Sequence, residues 1–106
     1  MAATAFCYLY LTCSDGQEAT KIAGGLLDKH LIICAKQLPV TSAFRWQGKI
    51  LGGKEILLIM ESRLDLFDEV EKALNTLHSY DTFVLEAVPI SKVSKDATKW
   101  INDNLK

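Results

Sequence analysis

The sequence predicts an α+β fold: a four-stranded antiparallel sheet with two long helices on one face, in a chain that associates with copies of itself. Three observations lead there. Strand and helix periodicities follow one another in the order β-α-β-β-α-β, with a short helical pattern at the end. Residues 5–12, 31–35, 56–60 and 83–90 are apolar at nearly every position, Glu86 being the main interruption. A strand packed on one side alternates apolar with polar residues, whereas a strand covered on both sides does not. Two helices laid on one face leave the other face bare, so another chain must cover it.

In the first strand, residues 5–12, Phe6, Tyr8 and Tyr10 occupy one face and Ala5, Cys7, Leu9 and Leu11 the other. Ser14, with Gln17 three residues on, has the spacing of a capping box. Ala19, Ile22, Ala23, Leu26 and Leu27 then recur at helical spacing and predict a helix over residues 15–30. Gly24-Gly25 weakens its interior by roughly 2 kcal/mol relative to alanine. Close packing of the helix on the sheet is the expected reason, a hinge the other. The second strand covers residues 31–38 and resumes over 40–46, because Pro39 cannot donate to a ladder and marks a bulge or an edge. Gln47-Gly48 turns the chain back. The third strand returns over residues 49–61, with Gly52-Gly53 a kink or second turn. Ser62 is the expected cap of the second helix, whose buried stripe is Leu66, Phe67, Val70, Ala73, Leu74 and Leu77. The fourth strand spans residues 81–90. Ser94 opens a terminal helix with Ala97, Trp100, Ile101 and Leu105 on its apolar side.

Split βαβ units joined by right-handed crossovers give a ferredoxin-like sandwich with spatial strand order 4-1-3-2. Residues 1–106 make a single domain, large enough to bury its own core and without linkers or low-complexity tracts. Hydrophobic residues are 49% of the chain, scattered too widely for a membrane span. A net charge of −1 and a pI near 6.1 offer no electrostatic affinity for nucleic acid or anionic lipid. No basic residue precedes the apolar run at residues 5–11, which reads as a first strand rather than a signal peptide. Cys7, Cys13 and Cys34 are an odd count. Cys7 and Cys13 would lie ~20 Å apart along one extended strand, beyond disulfide reach. A reducing cytoplasm is the expected location.

Several words, in order, are similar to those of the CutA family, small trimeric proteins associated with divalent-cation tolerance. They include Thr12-Cys13-Ser14-Asp15, Leu31-Ile32-Ile33-Cys34-Ala35, Arg45-Trp46-Gln47-Gly48-Lys49-Ile50, Leu77-His78-Ser79-Tyr80-Asp81 and Ala87-Val88-Pro89-Ile90. The Trp-x-Gly-Lys turn followed by His-x-Tyr-acid is the most specific part, and the likeness covers essentially the whole chain. It implies a homotrimer with a role in copper or other divalent-metal tolerance. Ser79, Phe83-Val84 and Glu61 stand where the family usually has proline, a Pro-Glu pair and a basic residue. The missing glutamate implies looser metal binding than a complete site would give.

Topology says which residues can meet. The end of strand one and the start of strand four are neighbours at one edge of the sheet, which brings Cys13 near His78, Tyr80 and Asp81. The turn at residues 46–49 projects from the same side, and His30 and Cys34 lie at the opposite edge. Thiolate, imidazole and carboxylate suit copper or zinc better than magnesium or calcium. Cys13, His78 and Asp81 are therefore candidate ligands of a weak site for copper or another divalent transition metal, on which the fold does not depend. Trp46, Lys49, Tyr80 and Tyr8 are candidate ligand-cleft or interface residues. The spacing contains no Cys-x-x-Cys or His-x-x-x-His clamp. Each residue also has a structural reading: Cys13 as a small buried side chain, His78 as a helix C-cap, Tyr80 and Trp46 as packing, Lys49 as a turn charge.

Nothing resembles a Ser-His-Asp order, a phosphate-cradling glycine loop or a nucleophile word, so an enzyme is not expected. Phe6, Tyr8 and Tyr10 could stack RNA bases, but strand three offers Ile56 to Met60 where further aromatics would be needed. The alternative to a metal-tolerance protein is a signalling or scaffolding trimer, similar in architecture to the PII nitrogen-regulatory proteins, with small ligands bound in clefts between subunits.

Overall fold

The computed structural model describes residues 5–106. β1 (Phe6–Cys13), α1 (Gly16–Asp28), β2 (Cys34–Trp46), β3 (Lys49–Arg63), α2 (Phe67–Leu77), β4 (Leu85–Pro89) and α3 (Lys95–Asn104) follow in the expected order. They form one sheet with spatial order β2-β3-β1-β4, every neighbouring pair antiparallel. This is the predicted split-βαβ sandwich.

The pleat of β1 divides its residues between two environments. Cys7, Leu9, Leu11 and Cys13 are at most 1% exposed, and Ser62, Met60, Leu58 and Ile56 lie opposite them on β3. Ile22 and Leu26 of α1, Val70 and Leu74 of α2, and Ile101 of α3 complete this core. On the other face Tyr8, Leu38 and Val88 are exposed, and Tyr10, Leu57 and Ile59 are half-buried. One face is sealed within the chain and the other is not.

β2 and β3 run beyond the body as a two-stranded arm, from the Val40–Glu55 pair to the Trp46–Lys49 pair. Gln47 and Gly48 close it with positive φ angles of 49° and 76°, the left-handed pair that a type I′ hairpin turn requires. The arm stretches the molecule to 46 × 25 × 23 Å and exposes Phe44, Trp46, Ile50 and Leu51. By strand alternation, Phe44 and Trp46 continue the row that begins with Leu38 on the open sheet face. A two-stranded ribbon is marginal in water by itself, so the arm is a second apolar surface that gains from a partner.

Several local expectations give way to longer-range pairing. Pro39 causes no break, because β2 pairs only with β3 and is an edge strand, the position where proline is tolerated. Gly52-Gly53 is neither kink nor turn, since the ladder passes through Ala43–Gly52 and Ser42–Gly53 without interruption. A Cβ on Gly52 would lie 2.5 Å from the Ser42 carbonyl oxygen, whereas one on Gly53 would meet open space. Gly52→Ala is therefore expected to destabilise the arm by about 1–3 kcal/mol, and Gly53→Ala to leave it unchanged or slightly firmer. Residue-resolved amide exchange across the arm distinguishes them; equal protection in both variants would contradict the close approach.

Ser62 does not cap α2. It lies in β3, 1% exposed, and its hydroxyl donates to the Leu31 carbonyl at 2.7 Å. Pairing of β3 with β1 persists to Arg63, and a single 3₁₀ turn at Leu64–Leu66 leads into the helix instead. Capping of α1 is displaced by one residue from the expected Ser14 and Gln17. Asp15 is the N-cap, accepting from the Glu18 N–H at 2.9 Å, while Glu18 reaches back to Ser14. α1 ends at Asp28, where His30 adopts φ 58° and Leu31 N–H bonds back to Leu26, a Schellman-type stop. Gly25 makes room for Leu77 of α2, at 3.2 Å from a would-be Cβ, so the glycine serves helix–helix contact rather than packing on the sheet. β4 is shorter than the expected 81–90 because the residues before Leu85 are held by other contacts, described next.

Candidate metal cluster and adjoining cleft

The sealed face of β1 ends at Cys13, fully buried. One turn into α1 stands Glu18, and α2 terminates at His78, whose extended backbone forms the C-cap. The sulfur of Cys13, a carboxylate oxygen of Glu18 and a ring nitrogen of His78 lie within 4.8 Å of one another. The His78 side chain is 0% exposed and that of Glu18 12%. The structure thus brings Cys13 and His78 together, and the carboxylate beside them is Glu18 in place of the expected Asp81.

Hydrogen bonds fix His78 and Glu18. His78 Nε2 lies 2.9 Å from the Thr12 carbonyl, and Nδ1 accepts from the Tyr80 N–H at 3.1 Å. A tautomer that carries its proton on Nε2 satisfies both. Glu18 Oε1 accepts from the N–H and the hydroxyl of Ser14 at 3.0 and 3.1 Å, and Oε2 accepts from the Ser79 N–H at 2.8 Å. His78 Nδ1 stands 3.8 Å from Glu18 Oε1. Burial alone would raise the Glu18 pKa, but the hydrogen bonds from Ser14 and Ser79 more than reverse it and hold the carboxyl down to about 2. The Cys13 thiol is pushed up to about 12, first by burial and then by the negative fields of Glu18, Glu55 and Asp15. A soft and an imidazole donor, of the kinds that suit copper or zinc, converge with a carboxylate. The thiol holds its proton, however, and the other donors are already committed to hydrogen bonds. The donor types suit copper or zinc, and a metal there would have to displace the thiol proton and these hydrogen bonds.

The loop from His78 to Val84 leaves the ladder because of this cluster. Phe83 stacks on the His78 ring at 5.5 Å, and Tyr80 lies against it at 4.7 Å. The Tyr80 hydroxyl then donates to Glu55 Oε2 of β3 at 2.6 Å; burial and this acceptor raise the phenol pKa. Between the loop and the root of the arm opens a cleft of about 400 Å³, lined by Phe44, Trp46, Lys54, Glu55, Tyr80 and Asp81 among others.

Of the expected residues, Trp46, Tyr80 and Asp81 share this cleft. Lys49 pairs with Trp46 at the hairpin end and does not line the cleft. Tyr8 stands elsewhere, on the open sheet face between Glu61 and Val88. At the opposite end, His30 Nδ1 lies 2.9 Å from the Asn104 carbonyl, and Cys34 donates to Glu61 at 3.2 Å. Glu18 escaped sequence reasoning, although one signal was present. It sits three residues after Asp15, the capping-box spacing, directly behind the strand that delivers Cys13.

The family model described as CutA1 divalent ion tolerance protein matches residues 7–104. The divalent-cation tolerance protein CutA of Archaeoglobus fulgidus is 35% identical over 98 residues, covering 92% of this chain and 96% of that protein. Its counterpart from Pyrococcus horikoshii is 32% identical with the same coverages. The solved structure of the A. fulgidus protein, described as periplasmic, superposes with a TM-score of 0.92 at 34% identity, over 95% of this chain and 99% of that one. CutA1 from P. horikoshii superposes with a TM-score of 0.89 at 30% identity, over 94% and 98%. With sequence and fold in agreement over nearly its whole length, this chain belongs to the CutA1 divalent ion tolerance protein family.

Proposed function

We propose that this chain acts in divalent-metal tolerance as a homotrimer that takes up copper weakly at Cys13, His78 and Glu18. The observation that carries the metal reading is the convergence of thiol, imidazole and carboxylate within 4.8 Å at the β1–α2 junction. Asp81, on the cleft side of the same loop, remains available as an outer oxygen donor. Copper held by these three donors, which meet among the described residues, would be sequestered. Weak uptake follows from the cost of removing the Cys13 proton and displacing hydrogen bonds already made. The reading is thus of a binding protein and not an enzyme.

The trimer rests on the uncovered apolar face and the exposed arm, with the number three implied by family likeness. An exposed apolar surface of this extent favours association. Cys7, Cys13 and Cys34 are free thiols, which favours a reducing compartment, and we place the chain in the cytoplasm. No helix among the described residues is long and apolar enough to cross a membrane.

Native mass spectrometry with and without copper reads subunit and metal counts together. Calorimetric titration of wild type, Cys13→Ser and His78→Ala is expected to give at least tenfold weaker copper binding in both variants. Equal affinities in the three proteins would make the uptake adventitious. A second reading, a PII-like signalling trimer that binds a small ligand, is favoured by the preformed cleft beside Trp46 and Tyr80.

A further inference from the structure

We infer that the cleft between the arm and the Tyr80–Asp81 loop is a binding site for a small organic ammonium ion that carries an apolar group. The inference rests on the second reading above and supplies its ligand class. Phe44 and Trp46, two residues apart on β2, project from the same strand face and form one wall. In the single chain both are nearly half exposed, at 46% and 44%. Tyr80 forms part of the opposite wall, locked by its bond to Glu55 Oε2. Glu55 lines the cleft and makes no other hydrogen bond among the described residues. Asp81 is exposed and forms no ion pair among them.

The lining therefore combines aromatic faces with two carboxylates against a single cation, Lys54. Ring faces attract cations through their quadrupole, and the carboxylates add direct Coulomb attraction in a partly enclosed space. A neutral apolar ligand would desolvate Glu55 without giving its free oxygen a partner. An organic anion would meet net repulsion. A bare metal ion would leave the aromatic wall unused. At about 400 Å³, the cleft is of the size of sites for small organic molecules.

The test uses the assembled protein in a Trp100→Phe background, which leaves Trp46 as the sole tryptophan. Trp100 lies in α3 and does not line the cleft. Phenethylammonium is expected to change Trp46 fluorescence saturably. The neutral 3-phenylpropanol should bind at least tenfold more weakly, and 3-phenylpropionate should not bind. Glu55→Gln keeps an acceptor for Tyr80 but removes the charge, and it should weaken phenethylammonium at least tenfold, as should Asp81→Asn. Equal binding of the alcohol, preferential binding of the acid, or unaltered affinity in both variants overturns the ammonium assignment while a small-ligand cleft survives. No response to any probe, with Trp46 open to acrylamide quenching, overturns it as well. No response with Trp46 shielded in the assembly, and unshielded in a dissociated variant, means that a second copy fills the cleft. The small-ligand reading then fails too.

Discussion

Replacing Tyr8 with aspartate is expected to convert the proposed trimer to monomers. Tyr8 lies mid-strand on the open face, flanked by Glu61 on β3 and Val88 on β4. The neighbouring Tyr10 stands opposite Glu86, so a new carboxylate would enter a region that already carries two. Lys36 is the nearby cation, and it is engaged with Glu61 at 3.2 Å. Burying an unpaired carboxylate costs several kcal/mol. On a face that stays in water, the same substitution would cost almost nothing. Light scattering at micromolar concentration, with Tyr8→Phe as an assembled control, reads the difference. An assembled Tyr8→Asp protein of unchanged stability would mean that the partner covers a different surface.

The second large effect is the acid sensitivity that Glu18 imposes on the metal-free protein. Its pKa falls from an ordinary 4.5 to about 2 in the folded chain, so its contribution is fully present above pH 4.5. That contribution is lost as the pH falls from 4.5 toward 2, because over this range the unfolded chain takes up a proton that the folded carboxylate does not. At 1.36 kcal/mol per pKa unit, the contribution is about 3 kcal/mol. Glu18→Gln should be destabilised at neutral pH by a similar amount, since its amide NH₂ would face N–H donors from Ser14 or Ser79. The gap between wild type and Glu18→Gln should close between pH 4.5 and 2. Urea denaturation at fixed protein concentration measures it, fixed because association contributes to apparent stability. A gap that stays constant across this range would show that the carboxylate is not held by these bonds.

Element identity was legible because periodicity reports which side of an element is buried. β1 is the clearest instance, since its two residue rows were readable from the sequence and found different fates in the structure. Boundaries were less legible. Ser62 has the composition of a helix cap, and a local rule cannot see that pairing with β1 extends β3 past it. Gly52-Gly53 reads as a turn by composition, yet the ladder carries both residues, and the close approach of Ser42 explains the first. Phe83 has strand propensity but stacks on His78 instead, which delays β4 to Leu85.

By itself, the sequence determined the order and type of the elements, the hairpin turn at Gln47-Gly48 and the existence of a second apolar sheet face. These follow from spacing along one chain, through the 3.6 and 2.0 periods and the left-handed turn. It also determined that Cys13 and His78 lie at the same edge, because topology alone joins the end of β1 to the approach of β4. Only the tertiary structure decided which carboxylate joins them. Asp81 is nearer to His78 in sequence, but the loop that carries it is drawn toward the arm by the Tyr80–Glu55 bond. Glu18 is 60 residues from His78 in the chain, yet Ser14 and Ser79 hold its carboxylate beside the imidazole from two directions. Distance along the chain does not encode that meeting, which depends on where two hydrogen-bonded loops close over the end of a strand.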